Sequence, residues 1–323
     1  MHVLNPTALC GTWRALLLGL LLAAAARAGA QAALPVVVTG GADQMIRVWD
    51  RAGRQAASFL AHDGAVLALA VTRDGRQIVS GGEDKTVKFW NAEDGLLETS
   101  LDAHAGSVAC LHLSPSGALL ATGGADHFVK IWNAATGRLV KALPGHSQPV
   151  RALAWSPDGR LLASAGNDRL IQVWTADGML AGTIVNEEPV AGLGWSHAGQ
   201  LVAAAIDGTL KAWRSGDYAV AARGRTGDRA LSAAAVSPDG RLLATCSTEG
   251  RLRVVEIGAS SFTPAAEASC QRAATALAWS ADGSVLVAAV ADRTLRYWSV
   301  RGLAPLAKVS SAAVAGALAV APR

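Results

Sequence analysis

Apolar and polar residues alternate in short runs along this chain, and the runs recur. Seven segments share one pattern: Ile46-Arg47-Val48-Trp49, Val87-Lys88-Phe89-Trp90, Val129-Lys130-Ile131-Trp132, Ile171-Gln172-Val173-Trp174, Leu210-Lys211-Ala212-Trp213, Leu252-Arg253-Val254-Val255 and Leu295-Arg296-Tyr297-Trp298. Measured between their last residues, the spacings are 41, 42, 42, 39, 42 and 43. Alternation with a period of two predicts half-buried strands. A repeat of about 40–45 residues built of such strands predicts the four-stranded blades of a propeller.

The order inside one unit supports this. Gly145-His146 is followed by an apolar run from Val150 to Trp155, then Ser156-Pro157-Asp158-Gly159, then Leu161 to Ser164, then Asp168 and Trp174. Pro presets φ and Gly accepts positive φ, so Pro-Asp-Gly reads as a hairpin turn. Comparable turns stand at 73–75, 115–117, 238–240 and 281–283. Each unit therefore reads as strands a, b, c and d in succession. The first unit starts on strand b, at Val36 to Thr39. The last ends on a surplus apolar strand from Gly316 to Pro322, which echoes Arg151 to Pro157. The expected fold is all-β: a seven-bladed propeller of four-stranded antiparallel blades, with the C-terminal strand supplying strand a of blade one. Such closure hides sheet edges that would otherwise pair with other chains.

The N-terminus does not fit the repeat. Arg14 precedes an apolar run from Ala15 to Ala26, followed by Ala28-Gly29-Ala30. A basic start, a short apolar core and an A-x-A end describe a secretory signal peptide cut after Ala30. The run is shorter than the roughly 20 residues a spanning helix needs; an uncleaved anchor is the alternative. The expected division is 1–30 as signal peptide and 31–323 as propeller, in the periplasm or secreted and without stable membrane insertion. Beyond the leader the charges nearly cancel: Arg14 and Arg27 lie within it and no acid does, so the 29 basic groups fall to 27 against 25 acids. That balance is no footprint for nucleic acid. Cys110, Cys246 and Cys270 are an odd set without a C-x-x-C, so no redox or haem-attachment motif is present. Cys110 and Cys246 sit in apolar strand patterns and read as small buried hydrophobes.

These motifs resemble the WD-repeat family of propellers over residues 34–322. The resemblance implies a tetrad in each blade: a His before strand a, a Ser or Thr on strand b, an Asp in the b–c turn and a Trp on strand c. Three blades carry the full set: His62, Ser80, Asp84 and Trp90; His104, Thr122, Asp126 and Trp132; His146, Ser164, Asp168 and Trp174. The others depart from it, keeping Thr39, Asp43 and Trp49, or Asp207 and Trp213, or Thr245, or Asp292 and Trp298. A Ser, a His and an Asp together invite comparison with a hydrolytic triad. A nucleophile is needed once, however, and this set occurs three times, so it reads as a structural hydrogen-bond chain. Trp155, Trp195 and Trp279, at equivalent places on strand a, read as packing between blades. His112, His127 and His197 have no second ligand at metal spacing.

The resemblance further implies a binding scaffold rather than an enzyme, with another protein as partner, no cofactor and no metal, and a monomeric state. Extracytoplasmic bacterial relatives are sometimes joined to c-type cytochromes; with no haem motif here, such an electron-transfer or envelope complex needs a separate partner chain. Family members usually dock through the face bearing d–a loops and b–c turns, which holds Asp63, Glu83, Asp102, Glu187, Glu188 and Asp228. Asp63, Glu83, Asn167 and Glu187 are the expected docking residues. Two alternatives remain: a hydrolase or lactonase in the central channel, for which strand a supplies only Arg151, Thr275 and Ser232 as polar entries, and a glycan or small-ligand binder, which would need exposed Trp.

Overall fold

The computed structural model describes residues 34–322; the leader and its cleavage signal at 28–30 lie outside them. Twenty-eight strands form seven separate four-stranded sheets. All pairings are antiparallel, between neighbours in the chain except one: the C-terminal strand Ala315–Val320 joins Val37–Gly41, with Val37 opposite Val320 and Thr39 opposite Leu318. Blade one is thus the sheet of strand a (Ala315–Val320), b (Val37–Gly41), c (Met45–Trp49) and d (Gln55–Leu60). The seven a strands pack side by side, and the last of them touches both the first and the one before it, which closes a ring. The fold is a seven-bladed β-propeller.

Local chemistry sets the turns. In the a–b turn of blade four, Ser156 Oγ donates to Asp158 Oδ1 at 2.5 Å and accepts the Leu161 N–H at 2.9 Å. Gly159 closes that turn at φ 70°. Gly240 does the same at φ 68°, and a Cβ there would stand 2.4 Å from the His197 nitrogen. Both the dihedral and the neighbouring blade therefore require glycine.

The blades are bonded to one another through their first strands. Trp155, Trp195 and Trp279 are all buried. Their indole N–H groups donate across the blade boundary to the carbonyls of His112 at 3.2 Å, Ala154 at 3.0 Å and Ala235 at 3.0 Å. A tryptophan at this place fills the space between two sheets and ties its indole N–H to a carbonyl of the neighbouring strand a. All seven a strands carry a bulge at their second residue: Leu67, Ala109, Arg151, Ala191, Ser232, Thr275 and Gly316.

One expectation needs correction. Alternation marked strand c as a half-buried strand. Instead Arg47, Gln172, Lys211 and Arg296 are buried. Strand c is an interior strand of a sheet covered on both faces, so its polar side chains run inside the blade to the loop above. Lys88 Nζ reaches the Ala61 carbonyl at 2.8 Å, Lys130 Nζ that of Ala103 at 2.6 Å, and Gln172 Nε2 that of Gly145 at 2.7 Å.

Candidate interaction face

The tetrads organise the face made of d–a loops and b–c turns. In blade two, His62 Nδ1 lies 2.8 Å from Asp84, His62 Nε2 lies 2.7 Å from Ser80 Oγ, and Trp90 Nε1 donates to the same Oγ at 2.8 Å. Blade three has corresponding distances of 2.8, 2.8 and 2.9 Å through His104, Asp126, Thr122 and Trp132. In blade four, His146 lies 3.0 Å from Asp168 and 2.9 Å from Ser164 Oγ, which accepts from Trp174 at 2.9 Å. The aspartate also ties down the loop, accepting the backbone N–H of Asp63, Ala105 or Ser147. Every donor has an acceptor along the chain from Trp to hydroxyl to His to Asp, which is how a blade holds polar groups in its core.

Electrostatics follow from burial. Removal from water holds all three imidazoles below their ordinary 6.5, although the facing carboxylates pull the other way. Burial works against the Asp84 carboxylate too, but hydrogen bonds from Thr86, His62 and the Asp63 N–H outweigh it and hold the group at about 2. The tetrads are therefore neutral imidazoles beside anionic carboxylates at neutral pH. Each Nε2 faces a hydroxyl already engaged by a Trp, and all three hydroxyl residues, Ser80, Thr122 and Ser164, are fully buried.

A glycine makes room for each imidazole, and this signal escaped the sequence reading. A Cβ at Gly82, Gly124 or Gly166 would fall 2.3, 2.4 or 2.7 Å from Nδ1 of His62, His104 or His146. The equivalent residues in blades five, six and seven, which lack the His, are Ala205, Ser247 and Val290. The turn acid then finds another cation. Asp43 is bound by Arg47 and Asp292 by Arg296, the latter at 2.7 Å. In blade six the strand-c Arg253 bonds instead Asp228, in the loop before strand a, at 2.6 Å. Blade six departs furthest from the tetrad: Val255 replaces Trp, and the buried Thr245 hydroxyl has no hydrogen-bond partner.

The expected docking residues divide. Asp63 and Asn167 are exposed, and only their backbone N–H groups are engaged, with Asp84 and the Pro149 carbonyl. Glu83 is exposed but accepts the Ala65 N–H at 3.2 Å. Glu187 forms an ion pair with the buried Lys211 at 3.0 Å. Asp228, expected among the surface acids, is buried against Arg253; a carboxylate beside a guanidinium is drawn in from the rim. Sequence reading also missed a set of strained turn residues on this face. Gln44, Lys85, His127, Arg169 and Arg293, each directly after the turn acid, have φ between 63° and 73°. Blades five and six use Gly208 and Gly250 there.

The other candidate chemistry is thin. Ser232 and Thr275 donate to the Cys246 and Ala289 carbonyls of their own blades, at 3.2 and 3.1 Å. Among the described residues no group of three His, Cys, Asp or Glu could hold a metal. All nine Trp of the described residues are buried.

The family model for the WD domain, G-beta repeat, matches residues 53–91, 95–133, 137–175, 223–256 and 267–299, more than half of the chain. Each match runs from the end of one blade into the next, so the sequence repeat is offset from the blade. Curated relatives include a nuclear distribution protein PAC1-2 of Uncinocarpus reesii, 35% identical over 66 residues, which are 20% of this chain and 14% of that protein. A cilia- and flagella-associated protein 52 of Chlamydomonas reinhardtii is 43% identical over 63 residues, 18% of this chain and 10% of its own. Striatin-3 of Bos taurus is 36% identical over 69 residues, 18% and 9%. The chain thus spans only a small part of the relatives it matches. With seven blades, three complete tetrads and five matched repeats, the chain belongs to the WD-repeat family.

Proposed function

We propose that this protein is a non-enzymatic scaffold that binds another protein through its d–a and b–c loop face, as a monomer exported across the inner membrane by its N-terminal leader. The observation that carries this reading is the ring of left-handed turn residues. Lys85, Arg169 and Arg293 are exposed at a conformation that disfavours side chains. Each costs on the order of 1 kcal/mol relative to glycine. Such strain at long polar residues, on loops held by buried tetrads, fits a face kept for recognition. Asp63, Glu83, Asn167 and Glu187 stand among these cations and give the face a mixed-charge pattern suited to a polar partner surface. Family membership supports a protein as the partner, and an envelope or electron-transfer complex is the proposed setting. The burial of every described Trp removes the stacking platform that a glycan binder would use.

Mild crosslinking of the tagged chain in its own cell envelope, read by mass spectrometry, tests this. A partner should be captured by the wild type and by an Arg76→Glu control on the opposite face. It should be lost with Asp63→Lys combined with Asn167→Lys. Capture that survives the double variant would assign binding elsewhere.

A further inference from the structure

Blade six differs from the others in one more respect. Cys246, on strand b (Leu242–Ser247), and Cys270, just after strand d (Phe262–Ser269), are both fully buried free thiols in one apolar cluster with Leu252 and Ala274. The backbone brings them to the same end of the blade. Cys246 pairs with Leu252 on strand c, while the Cys270 N–H donates at 2.7 Å to Gly250 in the turn before that strand. The internal repeat makes the pair stand out. The place of Cys246 is held by Gly40, Gly81, Gly123, Ala165, Ala204 and Ala289 in the other blades. That of Cys270 is held by Ala61, Ala103, Gly145, Asn186, Thr226 and Ser311. Only blade six has sulfur at either place, and it has sulfur at both.

We infer that Cys246 and Cys270 are a redox latch, which closes as an intrachain disulfide when the chain meets a disulfide oxidant. Both thiols lose a proton, one sulfur–sulfur bond forms, and the two electrons reduce the oxidant's disulfide to two thiols. The bond ties strand b of blade six to the loop entering blade seven, in the blade that lacks both the tetrad His and the Trp. The thiols are tuned to each other: a hydrogen bond from Cys270 favours the first deprotonation at Cys246, and that bond together with burial opposes the second. Cys110 is the internal control. It lies in blade three with its Sγ near the Gly123 and Val150 carbonyls, at 3.9 and 3.8 Å, and burial pushes its thiol up to about 12. Because both latch thiols are shielded from solvent, the bond forms while blade six is open, during folding. This goes beyond the docking reading and stands without it.

The full chain, refolded with either oxidised or reduced glutathione, is alkylated in denaturant and mapped by peptide mass. The oxidised sample should yield one bridged peptide pair, Cys246 with Cys270, and alkylated Cys110. It should also melt several degrees above the reduced sample. Cys246→Ala and Cys270→Ala place in blade six the residue other blades carry there, so both should fold and lose that difference. Alkylation of all three cysteines after oxidation, a bridge involving Cys110, an unchanged melting temperature, or a difference that persists in the alanine variants would each overturn the latch.

Discussion

At the scale of single residues, the tetrad aspartates do more than hold a histidine. Asp126 accepts from the Ala105 and Phe128 N–H groups as well as meeting His104 Nδ1. Asp126→Ala leaves all three without an acceptor and should cost about 1–3 kcal/mol of stability, read from urea denaturation. A variant that unfolds at the wild-type midpoint would contradict the structural role. The same groups set a pH dependence. Folded His62, His104 and His146 titrate below 6.5 because they are buried. As pH falls through 6.5 the unfolded chain takes up protons first, so stability is complete above that value and declines below it. Asp84, held at about 2 against 3.8, adds a further loss between those two values. Thermal midpoints should be level from pH 8 to about 6.5 and fall on acidification; a midpoint unchanged between pH 7 and 5 would rule this out.

At the scale of elements, two features carry the ring. Strand a of blade one comes from the C-terminus, and among the described residues its ladder with Val37–Gly41 is the only sheet pairing that joins distant parts of the chain. Removing residues 314–323 should expose the edge of Val37–Gly41, with aggregation in size-exclusion chromatography and a lower melting temperature; unchanged behaviour would argue that the ring does not depend on this closure. The second feature is the indole bond across blade boundaries. Trp279→Phe keeps the aromatic packing but removes the indole bond to the Ala235 carbonyl, and should cost about 0.5–1.5 kcal/mol. A calorimetric scan of this variant equal to wild type would show that the indole bond across the boundary adds nothing to stability.

At the scale of the whole molecule, the sequence was a strong guide to architecture and a weaker one to the working face. Period-two patterns, Pro-Asp-Gly turns and the Trp spacing are local, because a strand's alternation and a turn's dihedrals depend on adjacent residues. They determined seven units, their strand order and the missing first strand. The His, Ser or Thr, Asp and Trp of each tetrad were legible because the repeat shows them three times over. Only the tertiary structure decided which polar groups are exposed. It withdrew the strand-c cations into the blade, drew Asp228 into the core, engaged Glu187 with Lys211, set glycines beneath the imidazoles, and brought Cys246 to Cys270. The physical reason is that burial and pairing in a ring depend on sheets and loops packed across the fold, often a full repeat away in sequence, and no local pattern encodes those distances.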